Sequence, residues 1–167
     1  MKRNERLCRA GKLSAADWDK MASRAEFLMS GQQFGCSESV LLAFQETFED
    51  YFPESAVAMS SAFRGGMGGA GCTCGALAAG QMALGAFFGY HGRADGEQNP
   101  EAVKKARALF CEMHDRFRET HKAACCRVLT KGMEHSSPER KAQCARLVKA
   151  AVLMAGGIIA RESAELA

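Results

Sequence analysis

Apolar side chains recur every three or four residues through most of this chain, and no segment alternates apolar and polar residues in the manner of a half-buried strand. Ser14 can cap a first helix with Asp17 three positions on. Trp18, Met21, Ala22, Ala25, Leu28 and Met29 then form its stripe until Ser30-Gly31 ends it. After the short link Gly31–Gly35, a second helix starts at Cys36-Ser37-Glu38 and carries Val40, Leu41, Phe44 and Phe48. Pro53 suits the opening of a third, which runs through Val57 and Met59 to about Phe63. Asn99-Pro100-Glu101 combines an N-cap, a first-turn proline and an acid at the positive end of the helix dipole; Val103, Ala106, Phe110, Met113 and Phe117 mark the buried face that follows. Cys125–Leu129 forms a short helix or turn ended by Gly132. Ser136-Ser137-Pro138-Glu139 opens the last helix, with Cys144, Leu147, Val148, Ala151, Ala155 and Ile158 facing inward. These elements predict an all-α, single-domain bundle of about five to seven helices. Residues 1–13 read as a flexible basic leader, residues 14–167 as the helical domain, and Gly89–Gln98 as a polar connection.

The centre of the bundle is predicted from a different pattern. Five glycines between Gly65 and Gly71 permit positive φ, so that several N–H groups can converge on one point. Thr73 is the expected N-cap of the next helix, which puts Cys72 just outside it and Cys74 in its first turn. Unpaired N–H groups and the macrodipole would make a thiol ionise more easily there. From Ala76 to Ala86 the side chains are small or apolar nearly all round, which marks a central, buried, glycine/alanine-rich helix. The loop lacks the Gly-Lys-Ser/Thr ending of a phosphate-binding loop and follows no strand, so nucleotide binding is not expected.

Composition narrows the function classes. A chain of 167 residues with 47% hydrophobic content can bury a sizeable core. A net charge of +3 is too mild to imply nucleic acid. Residues 72–90 approach the roughly 20 residues of a membrane span, but Gln81, the cysteines and repeated glycine favour a buried helix. The charged start, Met1–Lys12, has no apolar signal-peptide core, so a cytoplasmic setting is expected. Eight cysteines in a reducing compartment point to redox activity, metal binding or plain burial rather than a permanent disulfide framework. Cys8 sits in the leader as a bystander and Cys111 lies off the buried stripe of its helix. His114 and His121 are surface or boundary residues without paired ligand spacing.

The order of a lone Cys36, then Cys74-Gly75-Ala76-Leu77 continuing to Met82-Ala83-Leu84-Gly85, then Cys126-Arg127-Val128-Leu129 and Cys144, resembles the C_GCAxxG_C_C family of redox-active proteins over about residues 20–160. By that resemblance the family cysteines are Cys36, Cys74, Cys126 and Cys144. One departure stands out: where the motif should close on glycine, this chain has Ala79 followed by Gly80.

Three functions compete. In the first, a helix-terminal thiolate, Cys74 or Cys36, attacks an oxidised partner protein or small thiol, Cys126 or Cys144 resolves the mixed disulfide, and no cofactor is required. Four cysteines allow three connectivities; meeting helix N-termini favour Cys36 with Cys74. In the second, Cys36, Cys72, Cys74, Cys126 and Cys144 supply thiolate ligands for zinc, copper or an iron–sulfur centre, although Cys-x-x-Cys spacing is absent. In the third, the cysteines act as small hydrophobes and function lies in a partner interaction, a homo-oligomer included.

Overall fold

A computed structural model describes residues 3–31, 34–89 and 99–164. Among these the chain is all-α, with helices α1 (Arg3–Ala10), α2 (Ala15–Gly31), α3 (Cys36–Thr47), α4 (Glu54–Ser60), α5 (Gly75–Phe88), α6 (Pro100–His121), α7 (Cys126–Leu129) and α8 (Pro138–Ala164). Short 3-10 turns follow α3 and α4, at Glu49–Tyr51 and Ser61–Phe63. The expected connection at Tyr90–Gln98 and the residues Gln32 and Gln33 of the first link lie outside the described residues.

The helix starts follow local chemistry. The Ser14 backbone N–H donates to Asp17 Oδ2 at 2.8 Å, while Ser14 Oγ accepts from the Asp17 N–H at 3.3 Å, closing a reciprocal cap on α2. Asn99 Oδ1 accepts from the Glu101 and Ala102 N–H groups at the head of α6. Two expectations need correcting. Residues 3–10 within the presumed leader form α1, because Leu7 and Ala10 bury themselves against the body of the bundle. The third helix stops at Ser60 and continues only as a 3-10 turn. Met59, placed on its stripe, is 61% exposed.

Helix α5 is the middle of the fold. Gly75, Ala76, Leu77, Ala79, Gly80, Ala83, Leu84, Phe87 and Phe88 are all buried, leaving it little solvent face, and it packs on α3, α6 and α8. Small residues make this geometry accessible. A Cβ at Gly80 would stand 2.5 Å from Met113 Cε of α6, so the glycine displaced by one position from the motif makes room for that side chain against α5. At one end of α5, Phe87 meets Phe48 edge to face at 5.2 Å, and Phe44, Tyr51, Phe52 and Trp18 extend that aromatic cluster.

The broadest helix pair is α2 against α8, with Trp18 on one and Gly156 on the other. Helix α8 is long and apolar enough to cross a membrane by length and composition, yet 56% of its apolar window is buried inside the bundle. A Cβ at Gly156 would sit 2.4 Å from Trp18 Cε3, on a rigid ring already held by Phe44 and Phe48. Gly157, next to it, faces open space. Gly156→Val should therefore destabilise the fold by about 2 kcal/mol through overpacking, whereas Gly157→Ala should stabilise it by about 0.5–1 kcal/mol. Chemical denaturation midpoints of the two variants measure this difference.

Candidate functional site

The glycine-rich segment folds into a tight left-handed coil. Gly65, Gly66, Met67, Gly68, Gly69 and Gly71 all have φ between 64° and 88°, a region that non-glycine residues enter at a cost. Its N–H groups turn inward: Gly69 N–H donates to Arg64 O, Gly71 N–H to Gly65 O and Cys72 N–H to Gly66 O at 3.0–3.1 Å. The N–H groups expected to converge on one point are instead mostly spent on carbonyls within and just before the loop.

What the loop does is grip α7. Cys126 N–H donates to Cys72 O at 2.6 Å, Arg127 N–H to Gly71 O at 2.9 Å, and Cys74 N–H to Ala124 O at 2.8 Å. The Cys125 thiol donates to Gly71 O at 3.0 Å, and Arg127 Nη2 to Ala70 O at 2.8 Å. A Cβ at Gly66 would stand 2.6 Å from Cys126 Cβ, so only glycine lets the coil lie against this cysteine. A similar close approach joins the heads of α3 and α5: a Cβ at Gly75 would stand 2.8 Å from Phe63 O and 3.5 Å from the Ser37 nitrogen. Gly35, before α3, is flanked by Arg64 and Glu38, whose Oε2 accepts the Gly35 N–H at 2.8 Å.

These approaches bring four cysteines to one place. Cys36 (first residue of α3), Cys126 (first residue of α7) and Cys144 (on α8) line a single cleft of about 510 Å³; Cys74, which caps α5, is buried behind them with 2% exposure. All eight cysteines are free thiols. The Cys36 and Cys144 thiols interact across this cleft, and the two titrate as a unit. Cys36 interacts most strongly with Cys144 of α8 and more weakly with Cys74, which sits deeper.

Ionisation follows the same geometry. Interaction with the Cys36 thiol brings Cys144 down from 9.0 to about 7 against the opposing effect of burial, and the Arg140 guanidinium one turn earlier on α8 adds to it. Cys36 is pushed well up by the same interaction and by burial. Burial raises Cys126, and the charge of Cys144 adds to this while Arg140 opposes it. Desolvation drives Cys74 up to about 11, outweighing the favourable effect of the Ala76 and Leu77 N–H groups at the head of α5. Two sequence expectations fall here: Cys74 itself, not Thr73, is the N-cap, and its thiol ionises less readily, not more.

The remaining candidates stand apart. Cys8, Cys72 and Cys111 are exposed, and His121 packs on Phe117 with ring centroids 4.6 Å apart. Among the described residues no group of three or more His, Cys, Asp or Glu side chains is arranged to hold a metal ion, so the five-thiol ligand set does not form a ready site. Sequence reasoning missed Arg64, His135, Arg140 and Lys141, which also line the cleft. Only Arg140 left a signal, the four-residue spacing to Cys144 on one helix.

The fold and cleft define a helical protein with a four-cysteine centre at the convergence of its helix ends. The chain belongs to the C_GCAxxG_C_C family, described as "Putative redox-active protein", whose family model matches residues 34–158 and so takes in all four of these cysteines. Neither the curated proteins nor the solved structures compared with the chain contain a match.

Because the pair shares one proton near neutrality, alkylation of Cys144 should rise with pH through a midpoint of about 7. Cys36→Ala removes the thiol that stabilises the thiolate and should move that midpoint upward, toward 9.0. Iodoacetamide labelling with peptide mass mapping across pH 5–10 reads both, with an unchanged midpoint in Cys36→Ala counting against the coupling of the two thiols.

Proposed function

We propose that this protein is a thiol–disulfide redox protein in which Cys144 is the attacking thiolate and Cys36 the resolving thiol. The observation that carries this reading is the placing of Cys36 and Cys144 together in the lining of one open cleft, where they titrate as a coupled pair. At pH 7 a thiol with a pKa of about 7 is about half ionised, against about one part in a hundred for a thiol at 9.0. A pKa near ambient pH also leaves the sulfur nucleophilic.

The chemistry runs in two displacements. Cys144 thiolate attacks one sulfur of a disulfide substrate; the substrate S–S bond breaks, and the first half leaves as a thiolate that takes up the Cys36 proton. Cys36, now a thiolate, attacks the Cys144 sulfur, closes Cys36–Cys144 and releases the second half, which is protonated by water. Two electrons pass from the protein dithiol to the substrate, giving two thiols. A reducing compartment, the cytoplasm, would keep the pair ready, and a redox partner protein or small thiol would return it to the dithiol. Cys126 and Cys74 face the same centre and provide a second pair of thiols for exchange.

In Cys36→Ser the second displacement is lost, so a mixed disulfide should accumulate on Cys144 and be seen as an added half-substrate mass. Cys144→Ser should slow substrate reduction by about 100-fold or more, with the helical circular dichroism spectrum retained. Intact-mass measurement of the anaerobically purified chain is the decisive companion. Loss of a pair of hydrogens on oxidation, restored by reductant, supports the reading. An acid-labile metal or cluster mass would overturn it in favour of thiolate ligation.

A further inference from the structure

The cleft over the thiol pair is lined by charge of one sign. Arg64, Arg140 and Lys141 border it with His135, and its described lining includes no carboxylate. The acids nearest to it stand at the rim: Glu38 accepts the Gly35 N–H beside Arg64, and Glu134 and Glu139 are exposed. Arg140 is turned partly inward, donating to Met133 O at 3.4 Å and acting on Cys144, while Arg64 and Lys141 are exposed at the mouth. Within the lining itself three permanent cations outnumber one thiolate, and with the Glu38 carboxylate at the rim counted the balance is still positive. An anionic reagent would otherwise be repelled by that thiolate, so the surplus of positive charge reverses the preference. The volume of about 510 Å³ lies in the range of small-molecule sites rather than of a flat protein–protein surface.

We propose that the substrate is a low-molecular-mass disulfide bearing carboxylates, with its anionic groups held by Arg64 and Lys141 while a substrate sulfur meets Cys144. This rests on the thiol–disulfide reading above and follows the same two displacements. The two substrate halves leave as carboxylate-bearing thiols.

The test uses the fully reduced full-length chain in single-turnover stopped flow against dithiodiglycolate, hydroxyethyl disulfide and cystamine, which are dianionic, neutral and dicationic. Each rate is divided by that of the same disulfide with 2-mercaptoethanol, which removes intrinsic reactivity. The expected order is anionic over neutral over cationic, by about tenfold per step at low ionic strength, contracting as salt is added. Lys141→Gln should lower the anionic-to-neutral ratio by about threefold or more. Lys12→Gln makes the same change in net charge at the opposite end of α2 from the cleft residue Met29, roughly 21 Å away along the helix, and should leave the ratio unchanged. Equal normalised rates, or equal effects of the two lysine variants, would overturn the anionic substrate while leaving the thiol chemistry standing. Absence of reaction with all three disulfides would remove the thiol–disulfide reading and this proposal with it.

Discussion

Close backbone approach is the constraint on which this architecture depends. Three helix starts, those of α3, α5 and α7, and the side of α8 can meet over one cleft only because glycine stands where a Cβ would collide: Gly66 against Cys126, Gly75 against Phe63 O and Gly35 against Arg64. The left-handed coil at residues 65–71 spends its hydrogen bonds on itself and on α7. That makes it a clamp, which fixes a four-residue helix that could not hold its shape alone. Without the clamp Cys126 would have no set position relative to Cys144.

Within that frame the thiols differ by environment rather than by type. Helix N-termini favour thiolates, but the effect is short-ranged and is overcome where the sulfur is cut off from water. Cys74 has the N–H donors and lacks the solvent. Cys144 lies further along its helix, yet it has the Cys36 thiol and the Arg140 cation beside it. The balance between desolvation and specific neighbours thus moves the most easily ionised thiol from the helix cap to the facing helix.

The same cation that lowers Cys144 belongs to the wall of the cleft, so activation of the sulfur and attraction of an anion have a common source in Arg140. Arg64 reaches this wall from the edge of the glycine coil, and Lys141 from the first turn of α8. The clamp that positions the cysteines therefore also delivers part of the charge.

Much of this was legible in the chain itself. Helical periodicity and cap chemistry located α2, α3, α5, α6 and α8, because local hydrogen bonds at Ser14 and Asn99 and apolar stripes such as Val40-Leu41-Phe44 are short-range facts. The all-round small and apolar surface of α5 marked it as central, since such a helix has no face suited to water. The four cysteines of the centre were marked by their order along the chain. Helix α1 was missed because Leu7 and Ala10 make too short a stripe to stand out among charges, and their partners on α8 and α5 are distant in sequence. Which thiol faces which, how deeply each is buried and where Arg64, His135 and Lys141 point were decided by tertiary structure alone. Thiol ionisation and cleft charge depend on distances between residues as far apart in sequence as Cys36 and Cys144, and no local pattern encodes those distances.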